Sequence, residues 1–328
     1  MHTPPTAGDE PEAHDALPDD PDRDDRALDT ELLGRELPDS RFVDASYLRW
    51  LYDDNPHGPA YQDHVDDDGV RVAHYGLVPV RYRRPGGEEP FVFSLNAVTR
   101  SGGQRKGYFS GLCRLLWDRA AADGVKVIVG VTNSKSLRPV VRLGWRCIGP
   151  LPVVVAPAPL ARPRGWDSAS VDRAFLGSGA LSELAEGLDD TPVESWTSSW
   201  SPSYLRWRLS SPNGAQPYAV HADDSLLAVS TVHPVGGVPV AVVLKLLPRR
   251  GRFGPMSAAE AIAQICRFHR APAAVYAGWN RHVAVRGVPL PERLKPAPLN
   301  LMVHSLSPEI PQDTFTLDTY EFLDADAY

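Results

Sequence analysis

Residues 94–111, SLNAVTRSGGQRKGYFSG, decide the fold of this chain. Apolar and small polar residues alternate over residues 91–98, which predicts a strand with one buried face. After the Ser-Gly-Gly turn, apolar residues recur at the spacing of one helix face: Phe109, Leu112, Cys113, Leu116 and Ala120. The sequence therefore predicts a strand, a glycine-rich turn and an amphipathic helix in direct succession.

The predicted turn makes the N-terminus of that helix a site for an anion. The amides of the first helical turn have no acceptor within the helix, and the helix dipole favours negative charge there. Gly107 lets a phosphate approach the backbone closely, while Arg105 and Lys106 add positive charge. These residues predict a diphosphate as the ligand.

Residues 104–109, QRKGYF, resemble the Q/R-x-x-G-x-G/A pyrophosphate loop of the GNAT acyltransferase superfamily, with Phe109 where Gly or Ala is usual. Residues 125–133 are similar to the family's next strand and the Asn that follows it, here Asn133. Residues 136–145 resemble the family's next helix and its closing turn, here Leu-Gly-Trp. The similarity extends from about residue 60 to residue 155.

The resemblance implies that the chain binds acetyl-CoA or another acyl-CoA as a co-substrate. It implies that the backbone at Ala97, Val98 and Thr99 contacts the acyl-pantetheine arm. The implied phosphate-binding loop consists of Gln104, Arg105, Lys106, Gly107, Tyr108, Phe109 and Ser110. Asn133 and Ser136 are implied to lie beside the cofactor.

Two polar residues are candidates for catalysis, Asn96 on the central strand and His74 on the preceding one. Asn96 can orient an amine or a water molecule, but an amide cannot act as a base. His74 has an ordinary pKa near ~6.5 and can accept a proton, although a lone strand histidine is more often a structural residue. In many GNAT enzymes a Tyr protonates the departing thiolate, and this chain has Val140 at that position. The identity of the general acid therefore stays open.

The second half repeats the first weakly but in order. Residues 46–50, SYLRW, recur as residues 203–207, and strand-like runs and a helix follow each copy. The second copy has RRGRFGP over residues 249–255 where the first has its phosphate loop, and Pro255 lacks an amide donor. The second copy is therefore predicted to be degenerate, shaping the substrate cleft without binding a cofactor.

The predicted fold class is α/β (α+β), with two tandem GNAT-like domains, each a mixed, mostly antiparallel central sheet flanked by helices. The predicted GNAT domain with the acyl-CoA loop covers residues 41–160, and the degenerate domain covers residues 161–328. Residues 1–40 hold 13 acidic and 3 basic residues, and we predict an acidic disordered tail there.

Composition excludes several other classes of function. The formal net charge is -7, but the chain after residue 40 holds 31 basic and 28 acidic residues, which is not typical of a nucleic-acid-binding protein. There is no apolar run of membrane-spanning length and no signal-like N-terminus. Three widely spaced cysteines predict neither a disulfide framework nor a zinc site. We expect a cytoplasmic protein without a metal, a nucleic-acid partner or a membrane partner.

These observations and the resemblance together predict an acyl-CoA-dependent N-acyltransferase. The acceptor would be a primary amine of a small molecule, bound between the two copies and attacking the thioester directly in a ternary complex. Two alternatives stay open: an acyl-CoA-binding protein without catalysis, and an aminoacyl transferase of the same fold. The sequence does not identify the acceptor, the acyl chain length or the oligomeric state.

Overall fold

The structure, a computed structural model, describes residues 25–37, 40–104, 106–160, 163–212, 217–249, 256–291 and 299–325. Its helices in these ranges are α1 (Asp25–Glu36), α2 (Ala45–Tyr52), α3 (Tyr108–Ala122), α4 (Ser134–Arg142), α5 (Arg173–Gly177), α6 (Ala180–Leu184), α7 (Pro202–Leu209) and α8 (Ala259–His269). Short 3-10 turns cover Ser40–Val43, Leu188–Asp190, Gln312–Thr314 and Phe322–Asp324.

The strands of the first half are β1 (Tyr61–Asp67), β2 (Val70–Arg84), β3 (Gly87–Thr99), β4 (Val127–Thr132), β5 (Arg146–Pro150) and β6 (Val153–Pro157). Those of the second half are β7 (Asp167–Ser170), β8 (Thr197–Ser198), β9 (Ala219–Ala222), β10 (Leu226–Val235), β11 (Val238–Pro248), β12 (Met256–Ser257), β13 (Ala273–Asn280), β14 (Val283–Ala284), β15 (Val288–Pro289), β16 (Asn300–Ser305) and β17 (Thr319–Glu321).

These strands form two large sheets with the same internal pattern. The first sheet has the order β1-β2-β3-β4-β16-β5, and the second has the order β15-β6-β13-β11-β10-β9-β7. Each sheet is antiparallel except for one central parallel pair, β3 with β4 in the first and β11 with β13 in the second. The predicted fold class, two mostly antiparallel sheets flanked by helices, is confirmed.

Each sheet contains a strand from the other half of the chain, and the first sheet also takes β8, which pairs with β2. β6 follows β5 in the chain but pairs with β13 of the second sheet, whereas β16 pairs with β4 and β5 of the first. A boundary at residue 160 therefore does not separate the sheets, because each contains a strand from the other side of it. The division into two domains at that residue stays a prediction.

The repeated SYLRW segments lie on α2 and α7, which pack against each other. Trp50 and Trp207 stack with ring centroids 4.9 Å apart. The Trp50 indole donates to the Trp207 carbonyl at 2.8 Å, and the Trp207 indole donates to the Trp50 carbonyl at 2.9 Å. This reciprocal contact relates the two halves by a local two-fold pattern and explains why both segments carry tryptophan.

The expectation of a disordered tail over residues 1–40 is wrong for α1. Residues 1–24 lie outside the described residues, but α1 is helical and buries Leu32 and Leu33 against the core. Arg71 of β2, 2% exposed, accounts for the docking of the acidic residues, since its guanidinium contacts Asp25 at 2.6 Å and Asp29 at 2.5 Å. The acidic composition predicted that these carboxylates would be exposed to solvent. In the structure Asp25 and Asp29 instead pair with the buried guanidinium of Arg71.

Helix α3 covers the other face of the first sheet. Four residues of its predicted apolar face are buried, Leu112, Cys113, Leu116 and Ala120, and Trp117 is buried with them, whereas the predicted Phe109 is half-buried. This face packs on β2, β3 and β4, which brings the N-terminus of α3 beside the C-terminal ends of β3 and β4. The predicted strand, turn and helix therefore meet at one end of the sheet.

Candidate active site

The parallel strands of the first sheet separate where α3 begins. β3 and β4 pair from Phe91 opposite Val127 to Ser94 opposite Gly130, where their pairing ends. A Cβ on Gly130 would lie 3.2 Å from the Ser94 Cβ, so the glycine permits close approach at the point of separation. We call the gap between residues 95–99 and residues 131–132 the first wedge.

A β-bulge opens the β3 side of the first wedge. The register with β2 shifts so that Asn96 and Ala97 together oppose Tyr75. Asn96 has φ +51°, a left-handed conformation that asparagine tolerates better than most residues. Ala97 is exposed, Val98 is buried and Thr99 is half-buried, so the backbone at Ala97 faces away from the core.

The predicted phosphate loop ends at an uncapped helix N-terminus. Gly107 has φ +83° and is the N-cap of α3, and it forms no side-chain capping hydrogen bond. The first intrahelical bond is from the Gly111 amide to the Gly107 carbonyl at 3.0 Å, so the preceding first-turn amides have no acceptor within the helix. The Ser110 hydroxyl donates to the Gly107 carbonyl at 2.8 Å, and Gln104 is exposed. Arg105 lies outside the described residues.

Carboxylates of the chain already contact polar groups around this loop. Lys106 pairs with Asp67 at 3.0 Å, and that hydrogen bond raises the pKa of the lysine. The Tyr108 hydroxyl donates to the same carboxylate at 3.1 Å. Glu36 of α1 accepts hydrogen bonds from the Ser101 amide at 3.2 Å and the Ser101 hydroxyl at 2.8 Å. An anionic ligand at this loop would compete with these internal acids.

The side chain of Phe109 lies beneath the loop. It is half-buried, and its ring meets the Tyr75 ring edge-on at 5.9 Å. The Tyr75 hydroxyl in turn lies 3.0 Å from the Ser94 hydroxyl at the point where the strands separate. The bulky residue at this loop position therefore packs against the sheet.

His74 is buried below α1. Its side chain is 1% exposed, with Nδ1 3.2 Å from the Asn96 carbonyl and Nε2 3.9 Å from the Asp29 carboxylate. Burial lowers the pKa of His74, and this effect outweighs the opposing influence of Asp29. The neutral ring of His74 donates from Nδ1 to the Asn96 carbonyl, and this hydrogen bond links β2 to the bulge of β3. The catalytic role of His74 stays a prediction.

The Asn96 side chain is directed toward α2. Its amide donates to the Tyr52 hydroxyl at 2.7 Å, and Tyr52 is fully buried. A Cβ on Gly76 would lie 3.2 Å from the Tyr52 ring, so the glycine makes room for it. Nothing local in the sequence links Tyr52 to a strand 44 residues away. A catalytic role of Asn96 stays a prediction.

On the β4 side, Asn133 caps helix α4. Its side-chain oxygen accepts from the Lys135 amide at 2.9 Å and from the Ser136 amide at 3.1 Å. A role of Asn133 and Ser136 beside the cofactor stays a prediction. Thr132, which the sequence did not single out, has a buried hydroxyl without a hydrogen-bond partner within the described ranges. Such a group at the end of β4 is a candidate for contact with a ligand.

The parallel strands of the second sheet also separate, after Val243 opposite Tyr276. We call the gap between residues 244–248 and residues 277–280 the second wedge. β17 pairs with residues 278–280, and Asn280 donates both to the Leu246 carbonyl at 2.9 Å and to Glu321 at 3.3 Å. The C-terminal segment therefore contacts both strands and occupies the second wedge.

A buried ion-pair cluster holds that segment. Lys245 contacts Glu321 at 3.1 Å and Asp324 at 2.6 Å, and all three side chains are at most 1% exposed. Burial by itself would lower the pKa of Lys245, but the two carboxylates outweigh burial and raise it. Burial also raises the pKa of Glu321 to about 7 despite the lysine.

Comparisons with known proteins identify the fold. No protein-family model matches the sequence, and no curated protein is significantly similar to it. A probable N-acyltransferase from Enterococcus faecalis shares 9% identity over 86% of this chain and 70% of its own, with a TM-score of 0.58. A GCN5-related N-acetyltransferase from Anabaena variabilis shares 11% identity over 85% and 70%, with a TM-score of 0.55.

A third similar structure is the N-myristoyltransferase of Saccharomyces cerevisiae with bound myristoyl-CoA. It shares 8% identity over 87% of this chain and 81% of its own, with a TM-score of 0.50. The chain thus has the fold of GNAT N-acetyltransferases, as the loop predicted.

The described residues contain neither a membrane-spanning helix nor a cluster of metal-binding side chains. No helix in these ranges is long and apolar enough to cross a membrane. No group of three or more His, Cys, Asp or Glu side chains in the same ranges is placed to hold a metal ion.

Proposed function

We propose that this protein is an acyl-CoA-dependent N-acyltransferase, with acetyl-CoA as the expected donor and a primary amine of a small molecule as the acceptor. The proposal requires no metal, nucleic acid or membrane, and it implies the cytoplasm as the compartment. The similar structures are those of a probable N-acyltransferase, an N-acetyltransferase and an N-myristoyltransferase, and the last of these holds myristoyl-CoA. The first wedge is the feature of this chain that fits such a donor.

Each part of the first wedge has a role in this proposal. The uncapped N-terminus of α3 after Gly107 would hold the diphosphate, because its amides and its dipole favour an anion. The exposed backbone at Ala97 would contact the pantetheine arm and orient the thioester at the bulge. The unpartnered Thr132 hydroxyl on the opposite strand would supply a further polar contact. A backbone amide at the bulge would stabilise the oxyanion as the amine attacks.

The observation that carries the proposal is the uncapped helix N-terminus beside the point where the pairing of β3 with β4 ends. Its test is Gly107→Glu, which sets a carboxylate against the diphosphate, with binding of acetyl-CoA and desulfo-CoA measured by calorimetry. We expect micromolar binding by the wild type and a loss of at least about 100-fold in the variant, since like charges repel at close range.

Gly124→Glu is the matched control for this experiment. Gly124 has φ +84°, close to the +83° of Gly107, and lies just beyond the opposite end of α3. A Cβ at Gly124 meets no atom within 4 Å. The two variants therefore impose the same backbone strain and the same charge, but only one lies at the loop. Equal binding by wild type and Gly107→Glu would refute the proposed donor site.

Binding of acyl-CoA without catalysis is the second candidate function. It is favoured by the burial of His74 and by Val140, which is buried where many enzymes of this fold carry an acidic tyrosine. Release of CoA thiol, followed with acetyl-CoA and a panel of primary amines, separates the two functions. Thiol release that depends on an amine supports the transferase, while binding without release from any amine supports the binding protein.

A further inference from the structure

A groove of about 450 Å³ lies at the end of the first sheet opposite the first wedge. Its walls come from the loop after α2, the middle of β2, the start of β3 and the end of α3. The paired segment from Phe91 to Ser94 separates this groove from the wedge, a distance of about 10 Å along the strand at ~3.3 Å per residue. The groove is therefore distinct from the proposed donor site.

Arg81 of β2 lines the groove with an unmatched positive charge. Its guanidinium makes no hydrogen bond or ion pair within the described ranges, although the residue is only half-exposed. The other charged residues in the wall do have partners. Arg119 pairs with Asp63 at 3.0 Å, and burial and then the nearby Asp123 raise the pKa of Tyr61. Arg81 is thus the cation in this wall that can bind an external anion.

His57 supplies a second donor on the same wall. Its ring stacks on Tyr204 with centroids 4.8 Å apart, and its backbone amide donates to the Asn55 side chain at 2.9 Å. These contacts fix the imidazole, yet its Nε2 is buried and has no partner among the described residues. Burial and then the nearby Arg81 charge lower the pKa of His57. A neutral ring with hydrogen on Nε2 can donate to an anion that Arg81 also contacts.

The remaining wall is apolar. Pro59, Pro79 and Pro90 border the groove together with Phe91 and Val125. Proline rings present no amide hydrogen to a ligand, so this surface favours the apolar body of a molecule. One unmatched guanidinium, one imidazole donor and an apolar wall suit a single anionic group attached to a flat ring system.

We propose that this groove binds a small organic carboxylate with a flat apolar body. Arg81 contacts the carboxylate, His57 donates from Nε2, and the three prolines pack against the ring. A guanidinium is the cation best suited to a planar carboxylate, because its donors match the two oxygens. The site is independent of the acyl donor and of its loop.

The experiment uses 2-naphthoate as the probe and 2-naphthamide as its neutral counterpart, titrated into the full chain and followed by calorimetry. We expect the carboxylate to bind at least about ten times more tightly than the amide, as for a charge-assisted hydrogen bond. Arg81→Gln should reduce this preference by about tenfold. His57→Gln should weaken naphthoate binding severalfold.

Arg267→Gln, an exposed arginine on α8, is the control that removes the same charge elsewhere, and it should bind naphthoate as the wild type does. The unfolding temperature of each variant verifies its fold. Absence of naphthoate binding, equal binding of naphthoate and naphthamide, or an unchanged affinity in Arg81→Gln would overturn the proposal. Acetyl-CoA affinity of Arg81→Gln should stay at the wild-type value, so failure of this site is distinguishable from failure of the donor site.

Discussion

The central parallel strands separate at equivalent places in the two sheets, but the two wedges that result have different surroundings. The first wedge lies beside a helix N-terminus at Gly107, with exposed backbone at Ala97 and an unpartnered hydroxyl at Thr132 within the described ranges. The second wedge is occupied by β17 and by the ion pairs of Lys245. The same strand geometry therefore serves as a ligand site in one half, under our proposal, and as a packing site in the other.

Separation of the strands is not sufficient for a binding site. Gly278 has φ +127°, and a Cβ there would lie 2.1 Å from the Tyr320 carbonyl oxygen. The backbone of β17 therefore packs directly against the backbone of β13, with no room for a side chain between them. β17 pairs with the backbone of residues 278–280, which the second wedge would otherwise leave without a neighbouring strand. This filling gives a physical reason for the prediction that the second copy binds no cofactor.

The largest effect should come from removing the cation of the second wedge. Lys245→Met leaves Glu321 and Asp324 buried without their lysine, and breaking a buried pair in this way costs about 3 to 5 kcal/mol. Urea unfolding at pH 7 measures the loss, and acetyl-CoA affinity of the folded protein should not change.

Lys126→Met is the control for this variant, since Lys126 pairs at 2.9 Å with Glu309 on the surface. It should unfold at the same urea concentration as the wild type. An equal loss of stability in both variants, or a second equivalent of acetyl-CoA bound by Lys245→Met, would contradict the difference between the wedges.

A slightly smaller loss of unfolding free energy is expected when the pH is lowered, because of a buried histidine in the second half. His221 Nδ1 lies 2.7 Å from the Ser168 hydroxyl and Nε2 lies 2.8 Å from the Ser230 hydroxyl, an arrangement that suits a neutral ring. Burial and then His269 lower the pKa of His221 from 6.5 to about 3. Between these values the unfolded chain binds the proton and the folded chain does not, so stability falls as the pH falls.

The wild type should lose about 3 kcal/mol of unfolding free energy between pH 6.5 and about pH 4 through this residue, at ~1.4 kcal/mol per pKa unit. His221→Gln removes the titrating group and should flatten that part of the stability profile. Urea unfolding at several pH values measures the slope. A slope in the variant as steep as in the wild type would assign acid sensitivity to other groups.

Asn133 gives a sharper test of the β4 side of the first wedge. Asn133→Ala removes the cap of α4 and should cost about 1 kcal/mol of unfolding free energy, and a place beside the cofactor predicts that it also weakens acetyl-CoA binding. Asn133→Ser keeps a capping oxygen and should retain the stability of the wild type. Unchanged acetyl-CoA affinity in both variants would contradict a place of this side chain beside the cofactor.

The smallest effect is expected where α1 meets the phosphate loop. Glu36→Gln removes a negative charge that contacts Ser101, and acetyl-CoA should bind about two to five times more tightly at low salt. The gain should shrink in high salt, because exposed charges are then screened. Glu309→Gln, which removes a carboxylate paired with Lys126, should leave the affinity unchanged. A gain in both variants would indicate a general effect of net charge.

Several features of the fold and the site followed from local sequence patterns. The alternation over residues 91–98 predicted β3, the apolar spacing from Phe109 predicted α3, and Gly107 marked the turn between them. The repeat of SYLRW predicted that two halves would share a pattern. Each of these signals depends on residues a few positions apart, which is why they are readable without tertiary contacts.

Other features depended on partners that are distant in the chain. Composition predicted that residues 1–40 would be disordered, but Arg71 pairs with carboxylates 42 and 46 positions away. His74 looked available for catalysis on a strand, whereas α1 buries it. No local pattern indicates that β6 and β16 exchange sheets, because strand pairing over such separations is decided by packing.

The sequence by itself determined a helix that begins at a glycine after a buried strand, since side-chain periodicity and glycine's freedom at positive φ are local properties. Only the tertiary structure decided which strand separation stays open, because Lys245 and its carboxylates lie about 80 residues apart and meet only when both halves are packed. These ion pairs fasten the C-terminal segment in the second wedge, and under our proposal the first wedge is the one that binds a ligand.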